Sequence, residues 1–302
     1  MTVGAALKQG FSLARRFRSV VWIIFLINLG LAALAALPIY RGILRFTGHS
    51  LMSQTLTYGF SIEWLTDFII NSPGSTDRYA ALIGLVGLLA IPVNTLLAGG
   101  VLGRLRRPPE QMTSLGDFFR DTTRFAWRLL RLMLISLVCY WIAFRLLNQG
   151  LGNLAEKWTR QWEDERLVFL IQLVPTILTL IALGFANLVI DFARVKLVLE
   201  DGASAAEAFL ASLGFSASRL RKVLVVYAVP MLGGVALLVL YRLLLPWSFF
   251  TTPASPGGPW AQYREPLTLA LLFIIQQAVM FGRYWFRVAT WASEWAYYSG
   301  TK

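Results

Sequence analysis

The chain has one histidine, His49, and one cysteine, Cys139. A single cysteine excludes an intrachain disulfide. A single histidine excludes paired-histidine haem ligation, and a metal centre would rest on it plus carboxylates, a weak donor set. No Gly-x-Ser-x-Gly, His-Glu-x-x-His or phosphate-binding glycine loop occurs. Nucleophilic catalysis needs a nucleophile, a base and an orienting group at one place. His49 is expected in a loop between apolar runs and Cys139 inside one, so the two do not meet. The expectation is a non-enzyme with no catalytic, cofactor-binding or metal-binding residue. His49 could offer one ligand to a pigment or metal, but an ordinary loop histidine is the plainer reading.

Charge is also scarce, and mostly of one sign. Only 15% of residues are charged, 28 Lys and Arg stand against 16 Asp and Glu, and the net charge is +12. Apolar residues make up 57% and the mean hydropathy is +0.60. Soluble domains carry about 25% charge and about 45–50% apolar residues, so the excess is lipid-facing surface. Little chain remains for a soluble catalytic domain of ordinary size. The basic residues sit beside apolar runs and do not form one patch, which argues against a nucleic-acid partner.

Six apolar stretches approach the roughly 20 residues that cross a bilayer's hydrocarbon core. They are Val20–Tyr40, Tyr79–Gly103, Leu129–Gln149, Leu167–Ile190, Val223–Leu245 and Pro266–Arg287. Arg145 interrupts the third close to one end, where a long side chain can snorkel to the headgroups. Ala33-Leu34-Ala35 resembles a signal-peptidase site, but the apolar run continues to Tyr40, long enough to be a retained span. Placing the N-terminus in the cytoplasm puts 19 Lys and Arg on the inner side and 9 on the other, as positive-inside bias requires. Both termini are therefore expected to be cytoplasmic.

One unit recurs three times. It starts at Thr2-Val3-Gly4-Ala5, Ser114-Leu115-Gly116-Asp117 and Ser204-Ala205-Ala206-Glu207, and Arg18, Arg131 and Arg221 follow 16 or 17 residues later. Ser204 with Glu207 is a capping box, and Ser114 with Asp117 is its shorter-armed version. Each start leads into a segment with apolar residues at helical spacing, as in Val3, Leu7, Phe11, Ala14 and Phe17. The predicted fold is all-α: a single integral membrane domain, 1–302, of six transmembrane helices paired as three hairpins. An amphipathic interfacial helix on the cytoplasmic side precedes each hairpin, and the pseudo-repeats span roughly 1–103, 104–196 and 197–302. Between spans, Leu56–Ile70 is expected as a helix at the outer interface and residues 247–264, with Trp247 and Trp260, as an irregular loop. Trp291, Trp295 and Tyr298 share one helix face and are expected to anchor the tail at the inner interface, or else to offer a docking surface.

Several short motifs carry a family resemblance. Gly48-His49-Ser50-Leu51, Gly59-Phe60, Trp64-Leu65, Asp67-Phe68 and Asn94-Thr95-Leu96-Leu97-Ala98-Gly99-Gly100 resemble uncharacterised bacterial six-helix integral membrane proteins. Asp191-Phe192-Ala193-Arg194-Val195-Lys196 with Glu200-Asp201 is similar to the membrane domain joined to some glycerophosphoryl diester phosphodiesterases. The resemblance implies a fold and a bacterial cytoplasmic (inner) membrane. It implies no activity, because in those enzymes catalysis belongs to a separate soluble barrel absent from this chain.

Polar groups inside the apolar runs are the best functional lead, since burying them in lipid is costly. Asn94, Asn187, Gln276 and Gln277 are the candidates, with Asn28 and Gln172 beside them. They would serve either as interhelical hydrogen bonds or as the lining of a polar path. Asp191, Arg194, Lys196, Arg283 and Arg287 form a charged rim that could hold an anionic lipid headgroup. Asp191 and Arg194, three apart, can pair. Gly99 and Gly103 permit close helix approach. The expected function is an accessory, scaffold or assembly subunit of a membrane complex, with lipid and other membrane subunits as partners. The alternative is a transporter or lipid-handling protein with a polar intramembrane path.

Overall fold

The structure is a computed structural model that describes residues 1–48, 62–72, 74–107, 114–200, 202–244 and 266–301. His49, residues 56–61, Pro108, Pro109, Asp201 and the loop containing Trp247 and Trp260 lie outside the described residues. Among those described the structure is all-helical. The helices are α1 (Val3–Arg16), α2 (Arg18–Thr47), α3 (Ile62–Asn71), α4 (Ser75–Arg106) and α5 (Leu115–Ala143), which passes into a π-helical turn at Phe144–Gly150. Then come α6 (Leu151–Thr159), α7 (Glu165–Leu199), α8 (Ala205–Ser218), α9 (Leu220–Leu244) and α10 (Pro266–Ser299). Five helical stretches are long and apolar enough to cross a bilayer: α2, α4, the continuous Leu115–Thr159, α7 and Leu220–Leu243 of α9. The chain is therefore a membrane-embedded helical protein.

The chain divides into two compact units. One comprises Met1–Leu13, Thr95–Val229 and Ala289–Lys302, the other Ala14–Asn94 and Pro230–Val288. This division cuts across the three sequence repeats, because each unit draws on segments far apart in the chain.

The caps form as their residue types require. The Ser204 hydroxyl accepts from the Glu207 amide at 3.2 Å and Ser114 from the Asp117 amide at 3.1 Å. Thr2 does the same for Ala5 at 3.3 Å, although Ala5 cannot reciprocate. The second repeat differs from the other two in continuity. The chain breaks at Phe17 (φ −95°, ψ 41°) between α1 and α2, and at Arg219 (φ −129°, ψ 30°) between α8 and α9. No break separates the capped start at Ser114 from the apolar run that follows, so α5 is one rod.

Burial on α1 and α8 is also offset from the apolar stripes of the sequence. The buried face of α1 is Ala6, Gly10 and Ala14, and that of α8 is Ala205, Ala208, Ser212 and Ser216. Leu210 and Leu213 are exposed and Leu7 and Phe11 only half-buried. Small residues turn inward because they allow close helix contact, which leaves the larger apolar side chains pointing away from the protein.

In the second unit, Trp64 stacks on Phe68 at 5.3 Å and Phe46 packs edge-on to Phe68, so α3 folds back on the end of α2. Asn28 of α2 and Asn94 of α4 exchange two side-chain hydrogen bonds, 3.0 and 2.9 Å. Each amide also donates to a carbonyl one turn back, Ile24 and Ala90. Interhelical bonds of this kind average about 0.6 kcal/mol and reach about 1.7. Replacing either Asn by Leu should cost more than replacing both, because the single variant strands one amide while the double strands none. A double-mutant cycle on unfolding in detergent reads this directly, and purely additive effects would contradict it.

Candidate functional site

The densest charged cluster lies in the first unit, where α7 and the end of α10 meet. Asp191, 1% exposed, accepts from Arg194 Nη1 at 2.8 Å and from Trp291 Nε1 at 3.4 Å. The first bond is the pairing its spacing predicts; the second reaches across a hundred residues of chain. Lys196 is buried and sits 3.7 Å from Glu200. Two further charges are buried in the same unit, Arg104 of α4 at 3% and Glu294 of α10 at 0% exposure. Neither stood out in the sequence. The only available signal for Glu294 was a lone acid in an aromatic helix end, and for Arg104 there was none.

The aromatic tail is therefore neither an exposed anchor nor an open docking face. Trp291, Tyr297 and Tyr298 are buried, and Phe215 of α8 packs against both tyrosines with centroids at 6.1 and 5.1 Å. Burial and the neighbouring Glu200 push the Tyr298 phenol up to about 12. The rim expected to hold an anionic headgroup is largely consumed in the same way. Asp191 and Lys196 are buried, and of this trio only the Arg194 guanidinium, 14% exposed, keeps an edge at the surface. Arg283 and Arg287 belong to the other unit, the first exposed and the second half-buried.

A second ionic group fixes the start of α5. Arg107 bonds Asp121 at 2.5 Å and lies 3.6 Å from Asp117. The Ser114 hydroxyl, with Arg120 and Arg107 nearby, holds the Asp117 carboxyl below its ordinary value. By sequence spacing Asp121 shares the polar stripe of this helix with Asp117, Arg120 and Arg124. It is buried because Gly103 of α4 leaves room for it, and a Cβ there would meet Asp121 Cβ at 2.7 Å. Gly99 likewise faces Leu129 and Gly100 faces Thr122 and Phe118, so the glycines predicted to permit close approach do so against α5.

The polar groups expected at membrane depth separate into pairs. Asn94 bonds Asn28 within one unit, and Asn187 accepts from the Tyr140 hydroxyl at 2.5 Å within the other. Gln276 is exposed and Gln277 half-buried on α10. Arg145, exposed in the π-helical turn, bonds Gln149. Asn148 accepts from Thr176 at 3.5 Å. These contacts show that α5 and its continuation run antiparallel to α7. At the far end of that pair, Glu156, Arg160, Trp162, Glu165, Phe169 and Gln172 line a cleft of about 390 Å³. Of these, Gln172 alone is among the polar candidates of the apolar runs. Comparison with known protein families, curated proteins and solved structures finds no match.

Proposed function

We propose that the chain is a non-enzymatic integral membrane protein serving as an accessory or assembly subunit of a complex in a bacterial inner membrane. In this reading it has six spans in three hairpins, with α10 providing the sixth. The helices α1 and α8 lie on the cytoplasmic face and lead into the first and third hairpins, the second is entered along the continuous α5, and both termini are cytoplasmic. The observation that carries the reading is the pairing of two of the intramembrane amides, Asn94 and Asn187, with side chains of neighbouring helices. Asn94 is spent on Asn28 and Asn187 on Tyr140, which are contacts that hold helices together and do not line a path. The inward-facing small residues of α1 and α8 add support. They leave large apolar side chains available to the bilayer surface, as an interfacial helix requires.

The test is purification from native membranes in mild detergent, paired with reconstitution into lipid vesicles. Another membrane chain is expected at fixed stoichiometry, with no solute or headgroup flux above protein-free vesicles. Flux that disappears in Asn187→Leu would establish a transporter instead.

A further inference from the structure

We propose that the cleft between α6 and the start of α7 is a binding site for the headgroup of an ethanolamine phospholipid, one that joins a primary ammonium to a phosphodiester. The proposal stands independently of the assembly role.

Depth is the first support. An α-helix rises about 1.5 Å per residue and a hydrocarbon core is about 30 Å thick, so roughly 20 residues separate the two boundaries. Counting from Arg131 along α5 reaches the far boundary near Leu151, and counting back along α7 from Arg194 reaches it near Val174. Gln172 then lies at the edge of the hydrocarbon, and Glu156, Arg160, Trp162 and Glu165 lie just beyond it, at headgroup level. Phe169, exposed, is one turn outward of Gln172 and gives the cleft an apolar face at the interface, between Gln172 and Glu165. Trp162 is 46% exposed at the same level, where amphipathic rings favour the interface.

Charge is the second support. In a chain of net +12, two carboxylates and one guanidinium line this cleft. Among the described residues, Glu156, Arg160 and Glu165 make no ion pair. Neighbouring Asp164, by contrast, is spent capping α7, accepting from the amides of Arg166 and Leu167 at 2.9 and 3.3 Å. The unspent groups have the arrangement a zwitterion needs. The carboxylates and the Gln172 amide oxygen accept from an ammonium with three protons, and Arg160 donates to phosphate. A quaternary choline lipid has the same net charge but no ammonium proton to donate. An anionic glycerol headgroup meets two like charges.

The test is native mass spectrometry of the full chain in detergent, titrated with ethanolamine, choline and glycerol phospholipids of identical acyl chains. Exposed ion pairs contribute up to about 1 kcal/mol each, so an ethanolamine preference of about fivefold is expected. Glu156→Gln with Glu165→Gln should reduce that preference to near unity, whereas Arg160→Gln should weaken all three lipids together. All three side chains are exposed, so unchanged melting temperatures should accompany these effects. Equal retention of the three headgroups, or a preference the double carboxylate variant keeps, would overturn the proposal. Soluble glycerophosphoethanolamine distinguishes the source. Competition with retained lipid supports the headgroup site, and binding of the soluble compound without lipid retention overturns a lipid as the occupant.

Discussion

Asp191→Ala is expected to destabilise the protein by about 3–5 kcal/mol, the range for removing one partner of a buried ion pair. Asp191 is essentially inaccessible and the Arg194 side chain only 14% exposed, so solvent replaces little of the partner the guanidinium loses. The Trp291 indole loses an acceptor in the same step, which weakens the hold of α10 on α7. Asp191→Asn keeps an acceptor oxygen and should cost less. The double variant Asp191→Ala with Arg194→Leu should also be less damaging than Asp191→Ala alone, because it removes the stranded charge. Unfolding followed by circular dichroism in detergent ranks the three. A double variant worse than the single would mean that the pair matters less than the packing of the Arg194 side chain.

Substituting alanine at two glycines of α1 should give opposite signs. Nothing lies within 4 Å of a Cβ at Gly4, so Gly4→Ala gains helix propensity and should stabilise by about 0.5–1 kcal/mol. A Cβ at Gly10 would sit 2.6 Å from the Ser293 backbone nitrogen and 2.7 Å from its Cα. Backbone cannot rotate away as a side chain can, so Gly10→Ala must push α1 off α10 and should cost about 1–3 kcal/mol, the range for overpacking. Melting temperatures of the two variants, with proteolysis at Lys8 as a reporter of a detached α1, check the prediction. Two variants that shift in the same direction would contradict it.

Local features were readable in the sequence and long-range ones were not. The helix starts at Ser114 and Ser204, the Asp191–Arg194 pair and the glycine approach at Gly99 and Gly103 all rest on spacings of three or four residues. Asn28 and Asn94, by contrast, are 66 residues apart, and Trp291 reaches Asp191 across a hundred. A span that is apolar all round shows no stripe, so its sequence does not tell which face turns inward. The tail illustrates the same limit. Its aromatic face suits an interfacial anchor and a protein core equally, and only the packing of Phe215 and Asp191 against it decides for the core. In the surface helices the large apolar residues misled, because the buried face is built from alanine, glycine and serine.

The unbroken passage from Leu115 to Thr159 has a mechanical consequence. At about 1.5 Å per residue, 45 residues make a strut of about 67 Å, longer than a bilayer is thick. The first and third repeats have a joint between their capped helix and the apolar run, so a push on either capped helix can be absorbed as rotation at Phe17 or Arg219. The second has none there, and its one irregularity is the π-helical turn at Phe144–Gly150, far along the rod. A tilt applied at Ser114 is therefore carried along the rod as lever motion to its far end at Glu156.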